Sequence, residues 1–500
     1  MNKNISDNSK KPCLVQTAQG FTVFYKEKFL YSKYDPSKAI LQIIEKLELK
    51  PQTIILCVSP LLPYGLKELS QKLPPDSIML GCEYDRELYD FIIQNNKDEF
   101  DKIKNFSFLD RNELPELGPN LLKKNTVYKR IVRIDFSAAA QFNSSFYESL
   151  IENCTNAIMT FWANRVTLVK FGRKYSTNFF KNLAFSEKTI PIQKYFASVE
   201  KPIFLFGSGE SAALGMKKLT KDAFILCADT AAQPLIASGF VPDGIFIEEA
   251  QNVISKCFLG IQSAGSHIFA GLSSVHAITR YFKPEDISFF TTEYTRAGFI
   301  DRFEKAGILP PKNQPFGSVG ITAWYYACLF RKNESVPVYT YGLDFAYSAG
   351  RTHTKGAMAD NARFINSSRI KPDTNYAAAF CQPAYKNGDM YTTPIMARYK
   401  EILMALREGS ERYDGVPEAL ERQKIKSFLQ KEKESLQEIK ALLTGEQELP
   451  PEELQTKLTH MISEREYLYL HFPDGYKFQY TQSFLNRVRV EIEYFLKILS

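Results

Sequence analysis

The chain has 500 residues, 44% of them hydrophobic and 24% charged, with a formal net charge of +7. That length exceeds a single hydrophobic core and implies two or three domains. No run reaches the roughly 18 apolar residues of a membrane span, and the last hundred residues carry 14 basic against 18 acidic side chains, so neither a span nor a basic nucleic-acid tail is expected. The polar start, MNKNISDNSKKPC, lacks the apolar segment of a secretory signal, which makes a cytoplasmic protein the simplest expectation. Eight cysteines (13, 57, 82, 154, 227, 257, 328 and 381) are scattered, with no C-x-x-C. They read as buried free thiols rather than a disulfide framework or a zinc site.

In chain order, residues 1–140 form a first α/β domain. GFTVFYKEKFLYS alternates like a hairpin, SKAILQIIEKLEL and YGLKELSQKL have helical spacing, and TIILCVSP and DSIMLGCEYD read as buried strands. RELYDFIIQNN comes next as a helix. Such alternation implies a parallel sheet with helical crossovers. Residues 141–195 read as a helical bridge that contains FGRKYSTNFFKNLAF. Residues 196–395 form a central α/β domain with strands at PIFLFG, AFILCAD, GIFIEE, SHIFAG, ISFFTT and VPVYTYGLDF. Its helices fall near 211–219, 230–238, 299–306 and 319–330. Residues 396–500 read as helices alone. Leu429, Leu436, Ile439 and Leu443 keep one face apolar, as do Leu454, Leu458, Met461 and Leu468. Pro450 and Pro451 suit the start of the second of these helices. The bundle is a packing or oligomerisation module, so a homo-oligomer is compatible with it.

Three stretches of the central domain carry candidate chemistry. In PIFLFGSGES, a strand runs into Gly207-Ser208-Gly209 and then a helix. Glycines let a backbone approach a phosphate, and Ser208 and Ser211 add hydroxyl donors; a tight strand-to-helix turn without a ligand fits the same pattern. Ala212 stands at the third glycine of G-x-G-x-x-G, and Glu210 brings a negative charge to the loop. In the second stretch, one strand ends at Asp229-Thr230 and another at Glu248-Glu249. Acidic residues at strand ends suit a ribose or base edge, while Asp229 also suits a helix cap. In the third, Gly317-Ser318-Val319-Gly320 enters a helix, and Asp344 closes a strand nine residues before His353, with Thr352 beside it. An imidazole with an ordinary pKa near 6.5 can take a proton from a hydroxyl nucleophile at neutral pH.

Together these stretches resemble the motility-associated factor (Maf) flagellin glycosyltransferases, whose central domain is the MptE-like DUF115 domain. FLYSKYDPSKAI is similar to the family's S-x-Y-D-P stretch, FGRKYSTNFFKNL to the segment entering the central domain, and FGSGES to its G-x-G-P-S loop. VPVYTYGLDFAYSAGRTHTKG resembles its G-x-D-[LF]-A…T-H-x-x-G element, and MYTTPIMARYKEIL is similar to the family's segment just beyond that element. The resemblance covers about residues 15–410 and implies a Rossmann-like, sialyltransferase-like central domain that works without metal or other cofactor. The sequence contains no D-x-D.

The implied activity is transfer of a nonulosonic acid (pseudaminic or legionaminic type) from a CMP-activated donor to flagellin Ser/Thr hydroxyls. On that resemblance His353 is the general base, with Asp344 as its orienting partner or a nucleotide contact. Gly207, Ser208 and Gly209 hold the CMP phosphate, with Ser211, Asp229, Thr230, Glu248, Gly317, Ser318 and Thr352 around the nucleotide-sugar. Glu210 replaces the family's proline, Ala212 its leucine, and PLLPYG its glycine-rich N-terminal turn. Two alternatives stand beside it: a pterin pyrophosphokinase, after the activity for which the domain is named, and an inactive flagellin-binding paralogue.

Overall fold

In the computed structural model, the described residues are 11–121, 128–262, 264–295, 297–372, 384–408 and 422–500; Cys381 lies outside them. The chain divides into two compact units, residues 1–169 with 472–477, and residues 170–471 with 478–500.

In the first unit, strands β1 (Cys13–Thr17), β2 (Gly20–Tyr25) and β3 (Lys28–Phe29) make an antiparallel sheet. After helix α1 (Lys38–Lys46) a second sheet begins, built from β4 (Thr53–Val58), β5 (Ile78–Cys82), β6 (Phe106–Phe108) and β7 (Arg130–Asp135). Between these strands lie α2 (Leu66–Lys72), α3 (Arg86–Asn95), α4 (Lys97–Phe100) and α5 (Leu117–Leu121). The order β6-β5-β4-β7 is parallel throughout. Alternate side chains of β4 feed two cores: Ile55 and Cys57 on one face, Ile54, Leu56 and Val58 on the other. Glu83, just past β5, is buried at 1% exposure. Its Oε1 accepts from the Tyr147 hydroxyl at 3.0 Å and the Asp85 N–H at 2.8 Å, and burial pushes its carboxyl up to about 7.

The predicted bridge is one 43-residue helix, α6 (Ser144–Ser186). Its first part supplies Tyr147, Leu150 and Cys154 to a first-unit core, and its last part buries Phe179, Phe180 and Leu183 in the second unit.

The second unit is built on a seven-stranded parallel sheet. Its strands are β8 (Ile203–Phe206), β9 (Phe224–Ala228), β10 (Gly244–Ile247), β11 (His267–Gly271), β12 (Ile287–Thr292), β13 (Lys312–Asn313) and β14 (Val338–Tyr341), in the order β13-β12-β11-β10-β9-β8-β14. The helices are α7 (Ala212–Lys218), α8 (Asp229–Ala237), α9 (Gly298–Lys305) and α10 (Val319–Phe330). Each falls within a residue or two of its expected place, because strands β8 to β12 are short apolar runs that bound them; β13 is not among the expected strands, and β14 stops at Tyr341, short of the expected Phe345. Ile203, Leu205, Leu226, Phe246, Phe269 and Phe290 pack one face against Ala323, Tyr326, Ala327 and Phe330 of α10. Every strand from β8 to β13 steps the same way, then β14 returns to the opposite side of β8. The strand order therefore reverses at the β8/β14 pair, and ligands of open α/β sheets bind outside the carboxyl ends at such a reversal.

Beyond β14 come α11 (Met358–Asn366), the hairpin β15 (Tyr385–Asn387) and β16 (Met390–Thr392), and α12 (Pro394–Glu408). The tail is made of α13 (Arg422–Thr444), α14 (Pro451–Ser463) and α15 (Gln482–Ile498). Leu429, Leu436, Ile439 and Leu458 are buried as expected, but α14 ends at Ser463 and Leu468 lies in a separate 3₁₀ turn.

The tail is joined to the α/β layer by two carboxylates. Buried Glu432 takes a two-pronged pair from Arg302 of α9 (2.7 and 2.8 Å), with Arg465 at 3.2 Å and the Tyr467 hydroxyl at 2.7 Å. Burial alone would raise its pKa, but the two guanidiniums hold it below the usual carboxylate value. Glu466 accepts from the N–H groups of Gly298 (2.7 Å) and Phe299 (3.0 Å) at the start of α9. Among the described residues no helix is long and apolar enough to cross a membrane, and the described cysteines are free thiols.

Candidate functional site

The sheet reversal brings two turns into backbone contact. Gly207 follows β8 and Gly342 follows β14. The Gly207 N–H donates to the Tyr341 carbonyl at 2.8 Å, and the Gly209 N–H to the Gly342 carbonyl at 2.9 Å. A Cβ on Gly207 would collide with the carbonyl oxygen of Gly342, and one on Gly342 with that of Gly207. Gly342 also has φ +71°. These glycines thus let two turns touch. This corrects one expectation: the amides of Gly207 and Gly209 are spent on β14 and its turn, and do not form an open phosphate cradle. Gly215 of α7 meets Tyr341 and Phe206, so the close helix–strand contact falls three residues beyond Ala212.

Asp344 occupies the mouth of the same turn. Its carboxylate accepts from the Ser211 N–H at 2.9 Å and from the Ser211 hydroxyl, which in turn accepts from the Gly342 N–H at 2.7 Å. A Cβ on Gly209 would strike Asp344. The expected Asp344–His353 pairing is therefore absent: Asp344 is committed to Ser211, while the His353 Nδ1 lies 2.9 Å from the Thr352 hydroxyl. Phe345, directly after Asp344, is held at φ +48°, a strained backbone of the kind that collects at functional sites.

Around this knot the predicted residues divide. Ser208 and Thr230 meet through their hydroxyls, Thr230 donating to Ser208 at 3.0 Å, and the Thr354 N–H, one residue past His353, donates to the Ser208 carbonyl at 2.7 Å. Asp229 is buried at 3% exposure in the first turn of α8, where its Oδ1 accepts from the Thr230 N–H at 2.6 Å. Burial, reinforced by the charges of Glu249 and Glu248, pushes its carboxyl up to about 7. His353 is half-buried, and burial holds its pKa below the ordinary histidine value against an opposing pull from Asp360. Neutral imidazole is thus the stable form at neutral pH.

Glu248 leans over Gly271 of β11 to accept from Thr292 of β12 (2.6 Å) and Thr322 of α10 (2.7 Å). Its place is beside the start of α10. Ser318 is the N-cap residue of α10 with no side-chain capping bond. Leu343 fills the space between Gly320 and Gly207, so the α10 start adjoins the paired turns. Gly317 has a packing reason instead: φ +79°, with Tyr399 of α12 where a Cβ would stand.

Three kinds of residue escaped the sequence. Ser348 and Thr354 bind the glycine turn through Glu210 and Ser208; both stand in the stretch that singled out His353. Asp360 and Arg363 of α11 bind the same segment at Gly356 (3.2 Å) and Gly350. Asn178 and Asn182, inside STNFFKN, donate to carbonyls of Ala250 and Ser273 (3.3 and 3.2 Å) and of Leu272 and Ser274 (both 2.9 Å). Their spacing of four puts both on one helical face, the signal that would have found them.

Comparison with known proteins adds three findings. Residues 177–350 match the family described as 6-hydroxymethylpterin diphosphokinase MptE-like. An uncharacterized protein of Treponema pallidum (strain Nichols) is 29% identical over 556 aligned positions, covering 98% of this chain and 96% of that one. A solved structure of a Maf glycosyltransferase from Magnetospirillum magneticum AMB-1 shares the fold at TM-score 0.51 and 12% identity, over 98% of this chain and 91% of that chain.

Proposed function

We propose, from the premise that residues 177–350 are an MptE-like domain set in a chain of Maf glycosyltransferase fold, that the protein is a glycosyltransferase. In full, the reading is transfer of a nonulosonic acid from a CMP-activated donor to Ser/Thr hydroxyls of flagellin, in the cytoplasm and without metal. One observation carries it: the 2.7 Å bond from the Thr354 N–H to the Ser208 carbonyl. It joins the segment bearing a neutral imidazole to the hydroxyl pair of Ser208 and Thr230, at the sheet reversal where such folds bind ligands.

The acceptor hydroxyl attacks the anomeric carbon of the donor, and the bond to the CMP oxygen breaks. His353 takes the hydroxyl proton. Ser208, Thr230 and Thr352 offer hydroxyl donors to the phosphate in place of the amides engaged with β14. Ser318 and the first turn of α10 steady the negative charge of the departing CMP. Asp344 and Ser211 hold the turns. Asp229 and Glu248 face the nucleoside.

The test is transfer in vitro. Purified protein, a CMP-nonulosonic acid and unmodified flagellin should yield flagellin heavier by one or more glycan masses, undiminished by EDTA. His353→Ala should abolish the gain while leaving flagellin binding intact. Unchanged flagellin mass with the wild-type protein would refute the reading. The description of the matched family favours one rival, pyrophosphoryl transfer from ATP to a hydroxymethylpterin; AMP release on mixing ATP, Mg²⁺ and that pterin would decide for it.

A further inference from the structure

The segment that bears His353 is clamped at two points by one turn. At its start, the N–H and the hydroxyl of Ser348 both donate to Oε1 of Glu210, the former at 3.1 Å. At its end, the Thr354 N–H donates to Ser208. Ser208 and Glu210 are two residues apart on the turn between β8 and α7, and only residues 349–353 lie between the clamps. Outer ties complete the frame. Tyr347 and Tyr391 exchange backbone bonds at 2.9 and 2.7 Å, and Arg363, paired with Asp360 at 2.8 Å, donates to the Gly350 carbonyl.

We infer that Glu210 is a positioning residue for His353, its carboxylate pinning the start of this strap to the turn that presents Ser208. The inference rests on the reading of His353 as the base. Two donors converging on one side-chain oxygen fix the start of the segment through both its backbone and its side chain. Without it, residues 349–353 regain backbone freedom and the imidazole drifts from the hydroxyl it must deprotonate. Displacements of about 1 Å cost up to about a hundredfold in rate. The side chain that brings a negative charge to the glycine turn is thereby given a function on the strap.

Two substitutions in the full-length protein test this. Glu210→Ala removes the acceptor, whereas Glu210→Gln keeps a carbonyl oxygen in place for Ser348. Amide hydrogen exchange over 348–353 should speed up at least about tenfold in E210A and stay near wild type in E210Q. NMR titration should show the His353 pKa rising toward the ordinary value in E210A, as the released imidazole meets water. In transfer assays E210A should lower kcat about tenfold with KM for the donor within about twofold, and E210Q should recover most of the loss. Unchanged exchange in E210A would overturn the inference, as would faster exchange with His353 titration and kcat at wild-type values. Exchange and titration need no turnover, so they judge the clamp even where the transfer reading itself fails.

Discussion

Asp344 and Ser211, 133 residues apart in sequence, satisfy each other twice, through the Ser211 N–H and its hydroxyl. An aspartate at a strand end beside a histidine resembles a catalytic dyad, yet here it ties the turn after β14 to the start of α7. Asp344→Ala should therefore destabilise the second unit by about 1–3 kcal/mol, leaving Ser211 donors unmet beside Gly209. Asp344→Asn should cost less, because the Ser211 hydroxyl can rotate to accept. Urea unfolding followed by Trp324 emission, in a background without Trp162, checks both.

Gly207→Ala and Gly342→Ala each drive a methyl into the other turn's carbonyl oxygen. Each should cost about 3 kcal/mol or more, since backbone cannot yield as a side chain does. Gly239 has φ +85° but nothing within 4 Å of the point a methyl would occupy; Gly239→Ala should cost only about 1 kcal/mol. Equal losses at all three positions would show that contact is not the reason for Gly207 and Gly342.

The rate should depend on pH through His353. Burial depresses its pKa, so kcat/KM should fall only as pH drops through a value below the ordinary 6.5 and stay level above it. Asp360 pulls that pKa upward. Asp360→Asn should accordingly shift the acid limb to lower pH, and a shift to higher pH would contradict the assignment.

Glu83 links pH to stability in the first unit. Its folded pKa is raised to about 7 by burial, so the folded chain keeps a proton that the unfolded chain releases near pH 4. The stability it confers is present below that lower value and is lost as pH rises through 7, by at most about 1.4 kcal/mol per pH unit. Comparing unfolding at pH 5 and pH 8, read on Trp162 in a background without Trp324, should show the decline. Glu83→Gln should flatten it.

How much of this the sequence disclosed depends on the range over which each feature is determined. Strands such as IFLF at 203–206 and GIFI at 244–247, and helices such as α10, announce themselves within a few residues. By contrast, β7 (RIVRID) carries charges at 130, 133 and 135, and β13 is two polar residues paired with β12. Both escape a reading of the sequence because neighbours, not composition, make them strands. The candidate site divides the same way. Ser208 and Thr230 are visible as residue types at strand ends, and His353 as an imidazole in a polar stretch nine residues past Asp344. That the Gly207 and Gly209 amides are already engaged, or that Glu210 meets Ser348 from 138 positions away, depends on chain crossings that no local pattern encodes.

The join at Glu432 makes α9 depend on the tail. Arg302 sits on α9 in the α/β layer, but its counter-charge is supplied wholly from the tail. Truncating the chain before residue 422 would remove that counter-charge and the Glu466 cap of α9 together. One short helix of the α/β layer thus takes its counter-charge and its cap from residues 130 and 168 positions downstream.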